Sequence, residues 1–198
     1  MISKKTVIAL KRVLSINHSG INTRAQNFAV VILPVFEKEK VPHILAILKA
    51  DNKEYPWSNQ VALPGGHVDK SDKSPLLAGL REIKEELGIS PEHLDVMGSM
   101  GHFQTILDTD IEVFVAAWDG FERDLEFDKK EISKILKIPI PLLAARHVSA
   151  DFSNRIPAID ELIYPFCGID IWGVTARIFH AFLESLPPDF LQAMIKAA

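Results

Sequence analysis

Three glutamates, Glu82, Glu85 and Glu86, fall within the segment REIKEELGI that runs from Arg81 to Ile89. Two like charges about 4 Å apart repel by roughly 4 kcal/mol near a protein surface. Three carboxylates on one arc must therefore spread, shift their pKa values or take up positive charge. Arg81 and Lys84 offer partial relief. A hard divalent cation offers more, because Mg²⁺ prefers carboxylate oxygens and completes its shell with water and phosphate. An ion held this way suits hydrolysis of a phosphoric anhydride, where phosphoryl charge must be neutralised and a water made nucleophilic. A solvated helix face is the ordinary explanation of a Glu-Glu pair. Gly65-Gly66, Asp69, Asp72 and the Arg81-Glu82 step accompany the pair at fixed spacing, and a solvated face does not require them.

The elements around this segment are readable. Ser74 is a good N-cap and Pro75 a good first helical residue, and Gly88 ends the periodic run. At about 100° per residue Leu76, Leu77, Leu80, Ile83 and Leu87 share one face, and the glutamates lie on the other. Gln60 to Leu63 reads as a short strand delivering Gly65 and Gly66, which permit a tight turn and close backbone approach to a ligand. Asn27 to Phe36 is a continuous apolar strand, with Pro34 expected to take its last residues out of the ladder. Glu37 to Lys40 is a turn, and Ile44 to Leu48 is the hairpin partner. The loop from Lys49 to Asn59 precedes the glycines and should lie beside a substrate. Lys49 and Trp57 are its candidate contacts, Trp57 as a stacking surface or as loop packing.

Strands are expected at Leu94–Met97 and Ile111–Trp118, with Asp110 and Glu112 either near the acidic helix or simply solvated. A short helix follows at Ile140–Arg146. Ile171, Val174, Ile178, Phe182 and Leu186 recur at helical spacing and define a closing helix that Pro187-Pro188 stops. Asp189 onward offers one more turn. Val7, Leu10 and Leu14 suggest a peripheral N-terminal helix, with Lys4, Lys5, Lys11 and Arg12 on its surface.

The 198 residues suffice for one substantial core, and 47% hydrophobic with 24% charged residues is an ordinary globular balance. A net charge of −4 and a pI near 6.0 argue against a nucleic-acid polymer as partner. Cys167 is the single cysteine, which excludes an intrachain disulfide, points to a reducing, cytoplasmic setting and reads as a small buried residue. The longest apolar run, Ala29 to Phe36, is too short for a membrane span, and Lys11 and Arg12 interrupt any secretory signal.

The segment resembles the Nudix box, the signature of hydrolases acting on nucleoside diphosphates linked to another moiety. Gly66 opens it, and Arg81-Glu82-Ile83-Lys84-Glu85-Glu86-Leu87-Gly88-Ile89 matches its second half without a gap. Asp72 stands where most members have Glu, and eight residues rather than seven separate it from Arg81. Both departures, with Asp69, are similar to the coenzyme A pyrophosphatase-like branch. The Trp172-Gly173 start of the closing helix is similar to that branch too. Lys49, Trp57 and Asn59 depart from its upstream marker.

The resemblance implies an α/β Nudix fold, a mixed β-sheet sandwiched between α-helices. It implies one domain with an N-terminal extension over 1–25, a core over 26–146 and a C-terminal extension over 147–198. Carried across, Glu82, Glu85, Glu86 and the carbonyl of Gly65 would hold Mg²⁺ or Mn²⁺. Glu82, Glu85, Arg81 and a late glutamate, Glu131, would act in catalysis, with Gly66 and Asp72 supporting the site. The implied substrate is a small nucleotide: coenzyme A or a derivative first, then nucleotide sugars, ADP-ribose and (d)NTPs. A homodimer also falls within the resemblance. A domain that senses a nucleotide without cleaving it is the alternative from another class.

Overall fold

The computed structural model describes residues 28–52, 57–120 and 125–196. The expected N-terminal helix lies outside the described residues. The apolar segment forms β1 (Phe28–Lys38), and a two-residue turn with positive φ at Glu39 and Lys40 returns the chain as β2 (Val41–Lys49). These strands pair antiparallel from Val35↔Ile44 to Lys38↔Val41. Both are longer than the sequence suggested, and Pro34 does not end β1. Ile32 donates its N–H to the Pro64 carbonyl at 2.9 Å, so by strand alternation the Pro34 nitrogen faces the same edge. On that edge pairing with the glycine strand ends at Val31, and pairing with β2 begins at Val35. Pro34 sits in the gap, where a missing donor costs nothing.

β3 (Val61–Ala62) pairs with β2, and β4 (Gly65–His67) pairs with β1. After α1 (Pro75–Leu87) come β5 (Leu94–Gln104), β6 (Asp110–Trp118) and β7 (Ile132–Pro139). β6 runs parallel to β1 and antiparallel to β5, and β7 runs antiparallel to β2. The result is a mixed sheet in the order β3-β2-β1-β6-β5, with β4 and β7 attached to β1 and β2. β5 is longer than the expected Leu94–Met97 because two register shifts let it follow β6 to its start.

Alternation assigns the two faces. Ile32, Phe36, Leu45, Ile47, Ala116 and Trp118 pack with Ile83 and Leu87 of α1. On the other face, Leu33, Val35, Ile44, Val113 and Val115 pack under α2 (Ile140–Ser149), α3 (Gly173–Ser185) and α4 (Pro188–Lys196). The sheet is thus sandwiched between helices, the architecture of a Nudix α/β fold. α4 is longer than the single expected turn because Leu191 and Met194 have a core to enter. A hairpin of β8 (Tyr164–Phe166) and β9 (Ile169–Ile171) precedes α3. Cys167 is exposed in its turn at φ 50°, which corrects the expectation of a buried cysteine.

Candidate functional site

α1 forms where capping predicts. Ser74 Oγ accepts the Leu77 N–H at 3.3 Å, Pro75 is the first residue, and Gly88 closes the helix in the left-handed region. Its buried stripe is shifted from the one the leucines suggested. Ala78, Gly79, Ile83 and Leu87 face the sheet, whereas Leu77 is 48% exposed. Gly79 explains the shift, since a Cβ there would lie 2.9 Å from Ile32 and 3.2 Å from Val30. The helix therefore approaches the sheet on its small residues, and Glu82 and Glu86 turn toward the glycine strand.

Gly65 and Gly66 are required there. Gly65 has φ 150°, and a Cβ would lie 2.1 Å from the Val30 carbonyl oxygen. A Cβ on Gly66 would lie 2.6 to 2.7 Å from the Glu82 carboxylate. Glu86 is fixed twice: Lys49 Nζ donates to Oε1 at 2.8 Å, and the Gly65 N–H donates to Oε2 at 2.9 Å. Arg81 spans the remaining acids. Its Nε and Nη2 donate to Asp72 at 3.2 and 3.0 Å, and Nη1 reaches Glu82 and Glu85, each at 2.9 Å. The Asp69 N–H donates to Asp72 Oδ2 at 2.9 Å, so the acidic loop folds back on itself to present Asp72 to the guanidinium.

Electrostatics follow from these contacts. Burial pushes the Glu82 carboxyl above its ordinary value; Arg81 draws it back, and Glu86 and Glu85 raise it further. The Arg81 hydrogen bond holds Asp72 below the usual carboxylate range, and Asp72 in turn raises Arg81. Among the described residues five carboxylates, Asp69, Asp72, Glu82, Glu85 and Glu86, face two cations, Arg81 and Lys49. The carboxylates outnumber the cations, and a divalent ion would reduce that excess. The donors are hard oxygens, and the lack of a side chain at Gly66 lets the Glu82 carboxylate lie against the glycine strand. The residues present fit a divalent cation of the Mg²⁺ class.

The structure brings Gly65, Gly66, Asp72, Arg81, Glu82, Glu85, Glu86 and Lys49 together. Lys49 touches Glu86, a contact 37 residues apart that no local pattern announces. Glu131 lies exposed in the turn that leads into β7. Its carbonyl accepts the Ala50 N–H at 2.9 Å, and with Lys49, Ala50, Asn52 and Lys130 it lines a cleft of about 210 Å³. Trp57 is half-buried in a turn, where its carbonyl accepts from Gln60.

Asp110 pairs with His102 at 2.9 Å, away from the glutamates. Glu112 is buried, and its Oε1 accepts from Ser99 at 3.0 Å. Among the described residues its Oε2 has no partner. It reaches Gly66 only through Val30, two strand spacings or about 10 Å away.

Comparison with known proteins finds relatives of the whole core. The NUDIX domain profile matches residues 25–153. The uncharacterized Nudix hydrolase NudL of Pectobacterium atrosepticum is 28% identical over 163 residues, covering 78% of this chain and 80% of that protein. A probable nudix hydrolase of Schizosaccharomyces pombe is 27% identical, covering 85% of this chain and 59% of its own length. Among solved structures, the MutT protein of Methanosarcina mazei aligns with a TM-score of 0.48 and 17% identity, over 80% of this chain and 92% of that one.

Proposed function

The chain belongs to the Nudix family and is a pyrophosphohydrolase, and from that premise we propose that it cleaves the diphosphate of a nucleoside diphosphate linked to another group, with Glu82, Glu85 and Glu86 as the centre of its active site. The observation that carries this reading is the excess of carboxylates over cations along α1, packed against a glycine turn that admits them. Nudix hydrolases use divalent cations, and Mg²⁺ or Mn²⁺ is the ion proposed. The carboxylates of Glu82, Glu85 and Glu86 would hold it, with the carbonyl of Gly65. Bound there, the ion would neutralise phosphoryl oxygens and lower the pKa of a water.

The chain's own residues supply the rest. Arg81, anchored by Asp72, holds Glu82 and Glu85 in position. Lys49 and the Gly65 amide do the same for Glu86. Fixing these side chains before substrate arrives removes reorganisation cost from the reaction. Glu82, Glu85 and Glu131 are the candidates to accept the attacking water's proton. Lys49 and Trp57 flank the approach and are proposed to meet the substrate's phosphate and base.

Coenzyme A or a derivative is the substrate proposed first. It is supported by Asp69 and Asp72 standing where the coenzyme A pyrophosphatase-like branch has them. Nucleotide sugars, ADP-ribose and (d)NTPs are the next candidates. Among the described residues no helix is long and apolar enough to cross a membrane, and a cytoplasmic setting is proposed from the single cysteine. Incubation with Mg²⁺ and a nucleotide panel, read by product mass, tests the proposal. A nucleotide and a phosphorylated second fragment, whose masses sum to the substrate plus one water, are expected from one compound. A nucleotide sensor would leave every compound whole and overturn the reading.

A further inference from the structure

A second cluster of metal-competent groups lies on the face of the sheet opposite α1. His147 comes from α2, and His180 and Glu184 stand four residues apart on α3, on one face of that helix. One ligand atom from each lies within 4.8 Å of the other two. His147 is fully buried, His180 is half-buried and Glu184 is exposed, so the cluster has a dry side and an open side.

We propose that His147, His180 and Glu184 form a second metal site, for a zinc-class divalent ion, chemically distinct from the carboxylate site on α1. Two imidazoles and one carboxylate are borderline donors that suit Zn²⁺ better than Mg²⁺. Both rings are also supported from behind, as metal-ligating histidines are. The Nε2 of His180 lies 3.2 Å from the Phe152 carbonyl oxygen, which can only accept; the proton is therefore on Nε2 and the lone pair on Nδ1. The Nδ1 of His147 meets the Tyr164 hydroxyl at 2.9 Å, and its Nε2 meets Glu184 Oε1 at 2.8 Å. A hydroxyl can donate or accept, so Tyr164 stabilises either tautomer of His147. In one, Nε2–H donates to Glu184. In the other, Nδ1–H donates to Tyr164 and Nε2 is available to a metal. The second oxygen of Glu184 accepts the Asn154 N–H at 3.0 Å, which ties the carboxylate to the loop after α2. An ion here would clasp α2, that loop and α3.

Titration of the full chain with Zn²⁺, in saturating Mg²⁺ to hold the glutamates of α1, tests this. Co²⁺ serves as the coloured substitute. The wild type is expected to bind one Zn²⁺ per chain and to give the visible absorption of a four-coordinate Co²⁺ centre. His180→Ala and Glu184→Gln should each weaken Zn²⁺ binding at least tenfold and abolish the Co²⁺ band. His180→Ala should leave hydrolysis in Mg²⁺ unchanged, which also shows that it folds. Glu86→Gln should keep the zinc. The proposal is overturned if the wild type binds no Zn²⁺ under these conditions, or if zinc is lost in Glu86→Gln and kept in His180→Ala.

Discussion

The two polar clusters on opposite faces of the sheet differ in what they lack. Around α1 the described cations do not balance the carboxylates, and a glycine lets one of those carboxylates lie against the sheet. Around α2 and α3 every polar atom of His147 has a protein partner, and the network is complete as it stands. The first cluster is proposed to hold an essential ion, whereas the second is complete without the one proposed for it. Charge shortfall is therefore the stronger guide to an essential metal, and donor type the guide to which metal a spare site accepts.

The largest effect expected on this comparison is at Glu86. Glu86→Gln keeps the shape but removes the charge that Lys49 and the Gly65 amide position. Turnover should fall by about 10³-fold, the scale on which preorganised charge contributes to a transition state. Near wild-type rates, measured on the substrate found in the panel, would break the assignment. Lys49→Ala and Asp72→Asn remove positioning partners, and in the case of Lys49 a proposed phosphate contact as well, and each should cost about 10- to 100-fold in kcat/KM. Gly66→Ala sharpens the steric half of the argument, since its methyl would overlap the Glu82 carboxylate. Metal affinity by calorimetry should weaken because the Glu82 carboxylate must move aside, with the melting temperature barely changed.

A pH test separates the clusters further. The folded pKa of Glu82 is raised from its ordinary 4.5, so the folded chain keeps the proton longer than the unfolded one. That contribution to stability is present at low pH and is lost as pH rises through the folded value. Denaturation in chelator should show stability falling across this window, and Glu82→Gln or added Mg²⁺ should flatten it. The smallest effect is at the balanced cluster. Without zinc, Glu184→Gln should destabilise by about 1 kcal/mol, the value of one partly exposed hydrogen bond, and leave turnover alone.

Much of this was legible in the sequence because the signals were local. Ser74, Pro75 and Gly88 set the limits of α1, and the carboxylate spacing picked out residues that the fold brings together. Three misreadings had a common cause, a contact distant in sequence. Leu77 fits the apolar stripe as well as Gly79 does, and only the proximity of Ile32 and Val30 decides between them. Lys84 is the neighbouring cation, yet Lys49 neutralises Glu86 from another strand. Pro34 is a strand breaker in isolation, and here it occupies the interval between two pairing partners. His147, His180 and Glu184 come together only when α2 packs against α3, and nothing in their spacing joins the first to the other two.

The Gly65 N–H belongs at once to a strand registered against Val31 and to the carboxylate of Glu86. Its amide proton is thus a built-in reporter. Whatever draws Glu86 toward a ligand loosens or tightens that proton's protection, so exchange at this position reads occupancy of the catalytic centre directly from the backbone.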